Sequence, residues 1–278
     1  PDSDGSHLDD GIAMGFRRLS FVDLEGGSQS IYNETRDMVI TFNGEIYNHR
    51  ELREELEAKG HVMGSRADTE VLIHGYEEWG EELLQKLRGM FAFVIWDKKN
   101  KSIFGARDFF GIKPFYYTIA NGNLIYASEI KAILAHPDVK KEVNPIALEN
   151  YLTFQYSVLE ETFFKGIFKL MPAHCFTFKD GKMDIKRYWE PVFEADHSKS
   201  LEEYVDEIDA AMQDSIKAHK VADVEVGSFL SSGVDSSYVA ACFHGDKTFT
   251  VGFDYEKYNE IDYAKALSEK IKIDNYSK

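Results

Sequence analysis

What the chain has little of narrows it first. It holds two cysteines in 278 residues, Cys175 and Cys242, in unrelated contexts with no Cys-x-x-Cys or Cys-His spacing. They read as reduced, buried thiols, neither a disulfide framework nor a metal knuckle. Basic residues are also in deficit: 32 Lys and Arg against 48 Asp and Glu leave a formal charge of −16, and no basic stripe interrupts the balance. Nucleic acid and anionic membrane surfaces are therefore poor partners. No apolar run approaches the roughly 20 residues that cross a bilayer, and the start, Pro1-Asp2-Ser3-Asp4-Gly5, is unlike a signal peptide. A cytoplasmic protein is expected. There is no internal repeat, no low-complexity tract and no Gly-Lys-Ser/Thr of the common phosphate loop.

What is present suits a folded protein with a sizeable core: 44% apolar and 14% aromatic residues, with room for one large domain or two smaller ones. The short β-branched and aromatic run Met38-Val39-Ile40-Thr41-Phe42 predicts a buried strand that ends at Asn43-Gly44. Asn48, with Glu51 three positions on and leucines at 52 and 56, predicts a capped helix that Gly60 stops. Between them lies a turn with an amide, a glycine and a carboxylate, which suits a polar ligand. An Asn-Gly turn alone is so common that an ordinary turn is the favoured explanation of it by itself. Upstream, Gly11 to Asp23 reads as a strand interrupted by Arg17 and Arg18, an exposed pair by default.

Downstream, Asp68 is a natural N-cap for a helix through Trp79, and Glu81 to Arg88 predicts a short helix that Gly89 ends. Phe91 to Trp96 predicts a strand buried on both faces, turning at Lys98–Lys101 into Ser102–Ala106. Arg107-Asp108-Phe109-Phe110-Gly111-Ile112-Lys113-Pro114 follows, then strands Phe115–Tyr117 and Leu124–Ala127 about Asn121-Gly122. A helix from Ser128 stops near His136-Pro137, and another starts at Asn144-Pro145. Tyr188 to Pro191 closes the sheet-rich part, and 192–199 reads as a linker.

A second domain begins at Ser200, which with Glu203 makes a capping box. Leu201, Tyr204, Val205, Ile208, Met212, Ile216 and His219 then recur at helical spacing, predicting an amphipathic helix that packs on something. A strand Val224–Leu230, the loop Ser231-Ser232-Gly233-Val234-Asp235-Ser236-Ser237, a helix from Tyr238, a strand Lys247–Phe253 and a helix Glu260–Ile271 give β-α-β-α order, and hence a parallel α/β sheet. A hydroxyl-rich loop at a helix start offers N–H groups and the dipole's positive end to an anion, although a serine cap explains it as well.

Taken together, these motifs resemble a known family. Asn43-Gly44-Glu45-Ile46-Tyr47-Asn48-His49 resembles the glutamine-binding motif of the class II glutamine amidotransferases. The loop 231–237 resembles the Ser-Gly-Gly-x-Asp-Ser-Ser pyrophosphate loop of substrate-adenylating enzymes, with Ser232 where glycine is commoner. The two in this order resemble the glutamine-hydrolysing asparagine synthetase family over essentially the whole chain. That resemblance implies an α+β amidotransferase domain over 1–191, an N-terminal-nucleophile-type sandwich of antiparallel sheets with helices, followed from 200 to 278 by the start of an α/β parallel-sheet synthetase domain. It implies glutamine held by Arg18, of an Arg-Leu-Ser-x-x-Asp motif, on the α-carboxylate, by Asp68 on the α-amino group, and by Glu45. Asn43 and the Gly44 N–H would form the oxyanion hole. ATP would sit against Ser231, Gly233, Ser236 and Ser237, with Leu230 and Val251 lining the adenosine pocket and Asp235 holding Mg²⁺.

The reaction so implied moves ammonia from glutamine to an adenylated aspartate, giving asparagine, glutamate, AMP and pyrophosphate, and the family resemblance allows a homodimer. The family's nucleophile is an N-terminal cysteine. No cysteine precedes position 175, so the opening strand is expected to be missing, and Lys278 follows two strands of a sheet that needs more. A chain inactive in both half-reactions is expected. A glutamine-binding regulatory protein, and a relative that amidates another carboxylate such as a peptide or a β-amino acid, are the alternatives.

Overall fold

The computed structural model describes residues 3–18, 23, 30–157, 159–243, 245, 247–253 and 259–278. The chain divides into two compact units, Pro1–Val192 and Phe193–Lys278.

The first unit opens with a two-stranded ribbon, β1 (Ser3–Asp9) and β2 (Ile12–Arg18). Next come β3 (Ile31–Tyr32), β4 (Met38–Ile46), α1 (His49–Ala58), α2 (Thr69–Trp79) and the short α3 (Leu83–Lys86). β5 (Gly89–Asp97), β6 (Ser102–Arg107), β7 (Tyr116–Ala120) and β8 (Asn123–Ala127) precede α4 (Ile130–Leu134) and α5 (Pro145–Phe154). β9 (Phe168–Lys169), β10 (His174–Lys179) and β11 (Lys182–Arg187) complete the unit. A six-stranded antiparallel sheet runs β11-β10-β6-β5-β4-β3, and a three-stranded one runs β8-β7-β9.

The period-two alternation of β4 and β5 explains the layering. Ile40, Phe42, Phe91, Phe93 and Ile95 point to one face and pack against Leu52, Leu56, Val71, Leu72 and Leu84 of the helices. Val39, Ala92, Val94 and Trp96 point to the other face and meet Phe115, Tyr117 and Leu170 of the smaller sheet side. Because both faces of β5 are covered, its sequence is an unbroken apolar run. Full burial of Phe91, Phe93, Phe104 and Phe176 contributes about 1.5–3 kcal/mol for each side chain. The unit is thus an α+β sandwich of antiparallel sheets with helices on one side.

Two local expectations give way here. β4 does not end at Asn43-Gly44 but continues to Ile46, pairing Glu45 with Met90 and Ile46 with Gly89. The two strands run so close that a Cβ on Gly44 would lie 2.1 Å from the Met90 carbonyl oxygen, and one on Gly89 would lie 2.2 Å from that of Glu45. Glycine at both positions lets the ladder continue. Asn48 does not cap α1: its Nδ2 donates to the Lys86 carbonyl at 2.8 Å and its Oδ1 accepts from Arg88 N at 2.9 Å. The amide thereby ties the start of α1 to the segment entering β5.

In the second unit the capping box at Ser200 starts α6 (Leu201–Ala218), with both reciprocal bonds formed. β12 (Gly227–Phe229), α7 (Val234–Phe243), β13 (Lys247–Thr250), α8 (Ile261–Ile271) and β14 (Asp274–Ser277) follow. The sheet β12-β13-β14 is parallel throughout, so the unit is α/β. Its strands are shorter than expected, and β14 is a third one that the sequence did not announce. Asn275 pins β14 by donating to Thr248 Oγ1 and Thr250 Oγ1 at 3.0 and 2.9 Å. The apolar stripe of α6 is only partly covered: Ile216 is buried, while Leu201, Val205 and Ile208 are exposed.

Candidate functional site

A cavity of about 710 Å³ in the first unit is lined by Asn43, Gly44 and Glu45 of β4, Asp68 and Thr69 at the start of α2, Arg17 of β2, Lys113, Ser128, Glu129 and Lys131. The end of β4 and the start of α2 are joined directly: Ile46 N–H donates to Asp68 Oδ2 at 2.9 Å. Asp68 holds the N-cap position but makes no side-chain cap bond, its oxygen being turned to the strand instead. Asn43 Nδ2 donates to Ser128 Oγ across the cavity rim at 3.3 Å.

The electrostatics follow from burial. Asp68 is only 8% exposed, and burial pushes its carboxyl upward, opposed by the Ile46 N–H and the charge of His49. Burial, and then the nearby Asp68 carboxylate, push Glu45 up to about 7, with Lys113 pulling the other way. Two acidic groups close enough to disfavour each other's ionisation present a wall that a cation relieves. Arg17, Lys113 and Lys131 line the same cavity, so both signs needed for a zwitterionic amino acid meet there.

Neither Lys113 nor Arg17 was assigned a ligand role from the sequence, yet the motif around Lys113 was visible. Arg107-Asp108 builds that loop. Asp108, 1% exposed, accepts from the backbone N–H groups of Phe91, Phe110, Ile112 and Lys113. Arg107 donates to the carbonyls of Gly111, Lys113 and Leu170 at 2.6–2.7 Å. The motif is therefore a structural clasp that sets Lys113 in the wall.

Arg18 ends β2, paired with Ser3, and its side chain lies outside the described residues, as do Leu19 to Val22 of the same motif. Asp23, the motif's last residue, accepts from Arg66 N at 2.8 Å, which fixes the segment two residues before Asp68. Cys175 is buried, and burial pushes its thiol up to about 11. That burial disfavours the thiolate form that a nucleophile needs.

In the second unit, Leu230 is buried and leads into the serine loop. Ser231 Oγ and Ser236 Oγ lie 2.8 Å apart, Gly233 N donates to Ser231 Oγ at 3.1 Å, and Ser237 N donates to the Gly233 carbonyl at 3.1 Å. Ser232 N donates to Glu260 Oε2 at 3.2 Å, so a carboxylate already sits on this anion-seeking loop. Asp235 is exposed on the first turn of α7. A single accessible carboxylate beside hydroxyls fits an Mg²⁺ that arrives with phosphate oxygens. Val251 is 69% exposed, past the end of β13.

The family model described as a glutamine amidotransferase domain matches residues 1–189, and that described as asparagine synthase matches 207–278. Asparagine synthetase [glutamine-hydrolyzing] 1 of Bacillus subtilis (strain 168) is 43% identical over 284 residues, covering 100% of this chain and 44% of the relative. Asparagine synthetase [glutamine-hydrolyzing] 3 of the same organism is 39% identical over 266 residues, covering 92% and 43%. A putative asparagine synthetase [glutamine-hydrolyzing] of Mycobacterium tuberculosis (strain ATCC 25618 / H37Rv) is 39% identical over 293 residues, covering 98% and 45%. The chain belongs to the glutamine amidotransferase class and, within it, to the glutamine-hydrolysing asparagine synthetase family. It spans less than half the length of these relatives. No helix among the described residues is long and apolar enough to cross a membrane.

Proposed function

We propose that this chain carries the glutamine-binding half and the beginning of the ATP-using half of a glutamine-dependent asparagine synthetase. Residues 1–191 act as the amidotransferase domain, 192–199 as a linker and 200–278 as the first part of the synthetase domain. The observation that carries this reading is the cavity where Asn43, Gly44, Glu45 and Asp68 line one space with Lys113.

In this reading L-glutamine enters with its α-ammonium toward Asp68, whose second role is to receive the Ile46 N–H. Glu45 helps fix the substrate, and a guanidinium from Arg18, with Arg17 at the same wall, takes the α-carboxylate bidentately. The side-chain amide then faces Asn43 and Gly44, whose N–H donors stabilise the oxygen as negative charge develops there. Cys175 is buried in the hydrophobic core and does not line this cavity. The ammonia displaces AMP from an adenylated aspartate, giving asparagine. In the second unit Ser231, Gly233, Ser236 and Ser237 cradle the phosphates of ATP, Leu230 and Val251 border its adenosine, and Asp235 holds Mg²⁺, which offsets phosphate charge when bound.

Isothermal titration of the 278-residue chain with L-glutamine tests the first half. One-to-one binding, weakened by Glu45→Gln, with no ammonia release, is expected. Binding of ATP with no binding of glutamine would overturn it.

A further inference from the structure

Away from the cavity, four metal-ligating side chains from three segments converge. Glu34 lies in the turn after β3, His61 in the connector from α1 to α2, and His74 and Glu77 one turn apart on α2. One ligand atom from each lies within 4.8 Å of all the others. His61 Nδ1 is 3.1 Å from Glu34 Oε1, His74 Nδ1 is 3.2 Å from Glu34 Oε2, and both nitrogens are 4.0 Å from Glu77 Oε2. Donors about 2.0–2.1 Å from a tetrahedral Zn²⁺ stand about 3.3–3.5 Å apart, so the set is close to the spacing such an ion imposes.

A second observation points to a ligand. His74 is 2% exposed, and among the described residues its Nδ1 has no hydrogen-bond partner, although it is aimed at the Glu34 carboxylate. A buried imidazole nitrogen facing carboxylate oxygens without hydrogen-bond alignment lacks the positive centre that would satisfy both. The surrounding groups also hold the donors in place. Glu34 Oε1 accepts from Val62 N at 3.0 Å while also facing His61, Glu34 Oε2 faces His74, and Glu77 Oε1 accepts from Asn33 Nδ2 at 3.3 Å, leaving Glu77 Oε2 turned to both histidines. His61 Nε2 lies 3.5 Å from Glu78 Oε2, and Lys59 Nζ holds the other Glu78 oxygen at 2.8 Å. A carboxylate behind the outer nitrogen of a histidine is the arrangement that orients metal-bound imidazoles.

We propose that Glu34, His61, His74 and Glu77 form a divalent-cation site that takes Zn²⁺. Two imidazoles and two carboxylates suit a borderline ion of this kind and suit Ca²⁺ or Mg²⁺ poorly. With four protein ligands the site is structural. It clips the β3–β4 turn and the α1–α2 connector onto α2, the helix whose first residues line the glutamine cavity.

The test uses the purified 278-residue chain, stripped with a chelator and returned to metal-free buffer. Zn²⁺ is titrated in competition with a chromophoric chelator, and Co²⁺ is followed by its visible absorption. One Zn²⁺ bound with Kd below about 10 µM and Co²⁺ bands of four-coordinate nitrogen and oxygen ligation are expected. His61→Ala and Glu77→Gln, both away from the core and checked for native circular dichroism, each weaken binding at least about tenfold. His197→Ala, an exposed linker histidine, leaves it unchanged. Wild-type affinity weaker than that limit, or a His61→Ala/Glu77→Gln double variant that binds as the wild type does, overturns the proposal.

Discussion

The backbone N–H of Ile46 donates to Oδ2 of Asp68 at 2.9 Å, 22 residues apart in sequence, in a buried contact. The strand that carries Glu45 and the helix that starts at Thr69 are thus held at one separation by a single carboxylate, whose other oxygen is not used in this bond.

Replacing that carboxylate in two ways separates its roles. Asp68→Asn keeps an acceptor for Ile46, so stability by denaturant titration falls by no more than about 1 kcal/mol, while glutamine affinity falls at least about tenfold through loss of charge. Asp68→Ala also leaves a buried N–H unpaired, and stability falls by about 1–3 kcal/mol. Equal glutamine binding by Asp68→Asn and the wild type would remove Asp68 from the ligand site.

Glu45 sets a pH dependence with opposite signs for binding and stability. Its carboxyl, raised from 4.5 to about 7, ionises late, so affinity for the ammonium of glutamine strengthens from pH 6 to pH 8. The proton held in the fold contributes stability that is full below 4.5 and lost as pH rises through about 7. Calorimetry of binding and thermal melts across this window should both flatten in Glu45→Gln. A variant with unchanged pH slopes would place the titrating group elsewhere.

At Gly44 a built Cβ lies 2.1 Å from the Met90 oxygen, 2.7 Å from Phe42 Cε2 and 2.8 Å from Phe91 Cα. Gly44→Ala therefore costs about 2 kcal/mol or more, since the Met90 oxygen and Phe91 Cα belong to main chain that cannot swing away. Gly15→Ala on β2, where a Cβ meets nothing within 4 Å among the described residues, stays within about 0.5 kcal/mol. Matching denaturation midpoints for the two variants would contradict the close approach of β4 and β5.

In the second unit, Glu260 occupies the Ser232 N–H that an incoming phosphate would seek. Glu260→Gln removes one negative charge beside the loop, and pyrophosphate affinity by titration calorimetry rises about fivefold, the worth of a unit charge at about 4 Å in water. A fall in affinity would mean that the carboxylate organises the loop and does not compete for it.

How much of this could be read from the residues depended on how local the determinants are. The Ser200–Glu203 box is complete within four residues, and Phe91 to Trp96 declares a doubly buried strand by its own composition. Asn48 has the right neighbours for a cap, but its amide is drawn to Lys86 and Arg88, about forty residues on, which no local pattern reports. The extension of β4 past Gly44 likewise needs Gly89 opposite. β14 is written Asp-Asn-Tyr-Ser, with no apolar alternation, and is held by the Asn275 amide. In the cavity, Asn43, Gly44, Glu45 and Asp68 were legible through a motif. Lys113 was not, because its place depends on a clasp closed by Arg107 and Asp108.

Where Gly44 borders the cavity, that stretch of wall offers only peptide atoms, and exchanging one residue type for another cannot rewrite their donors and acceptors. A change in which ligand the cavity accepts would therefore have to enter from the opposite rim, through Ser128, Glu129 or Lys131, where side chains can vary without disturbing the strand pair beneath.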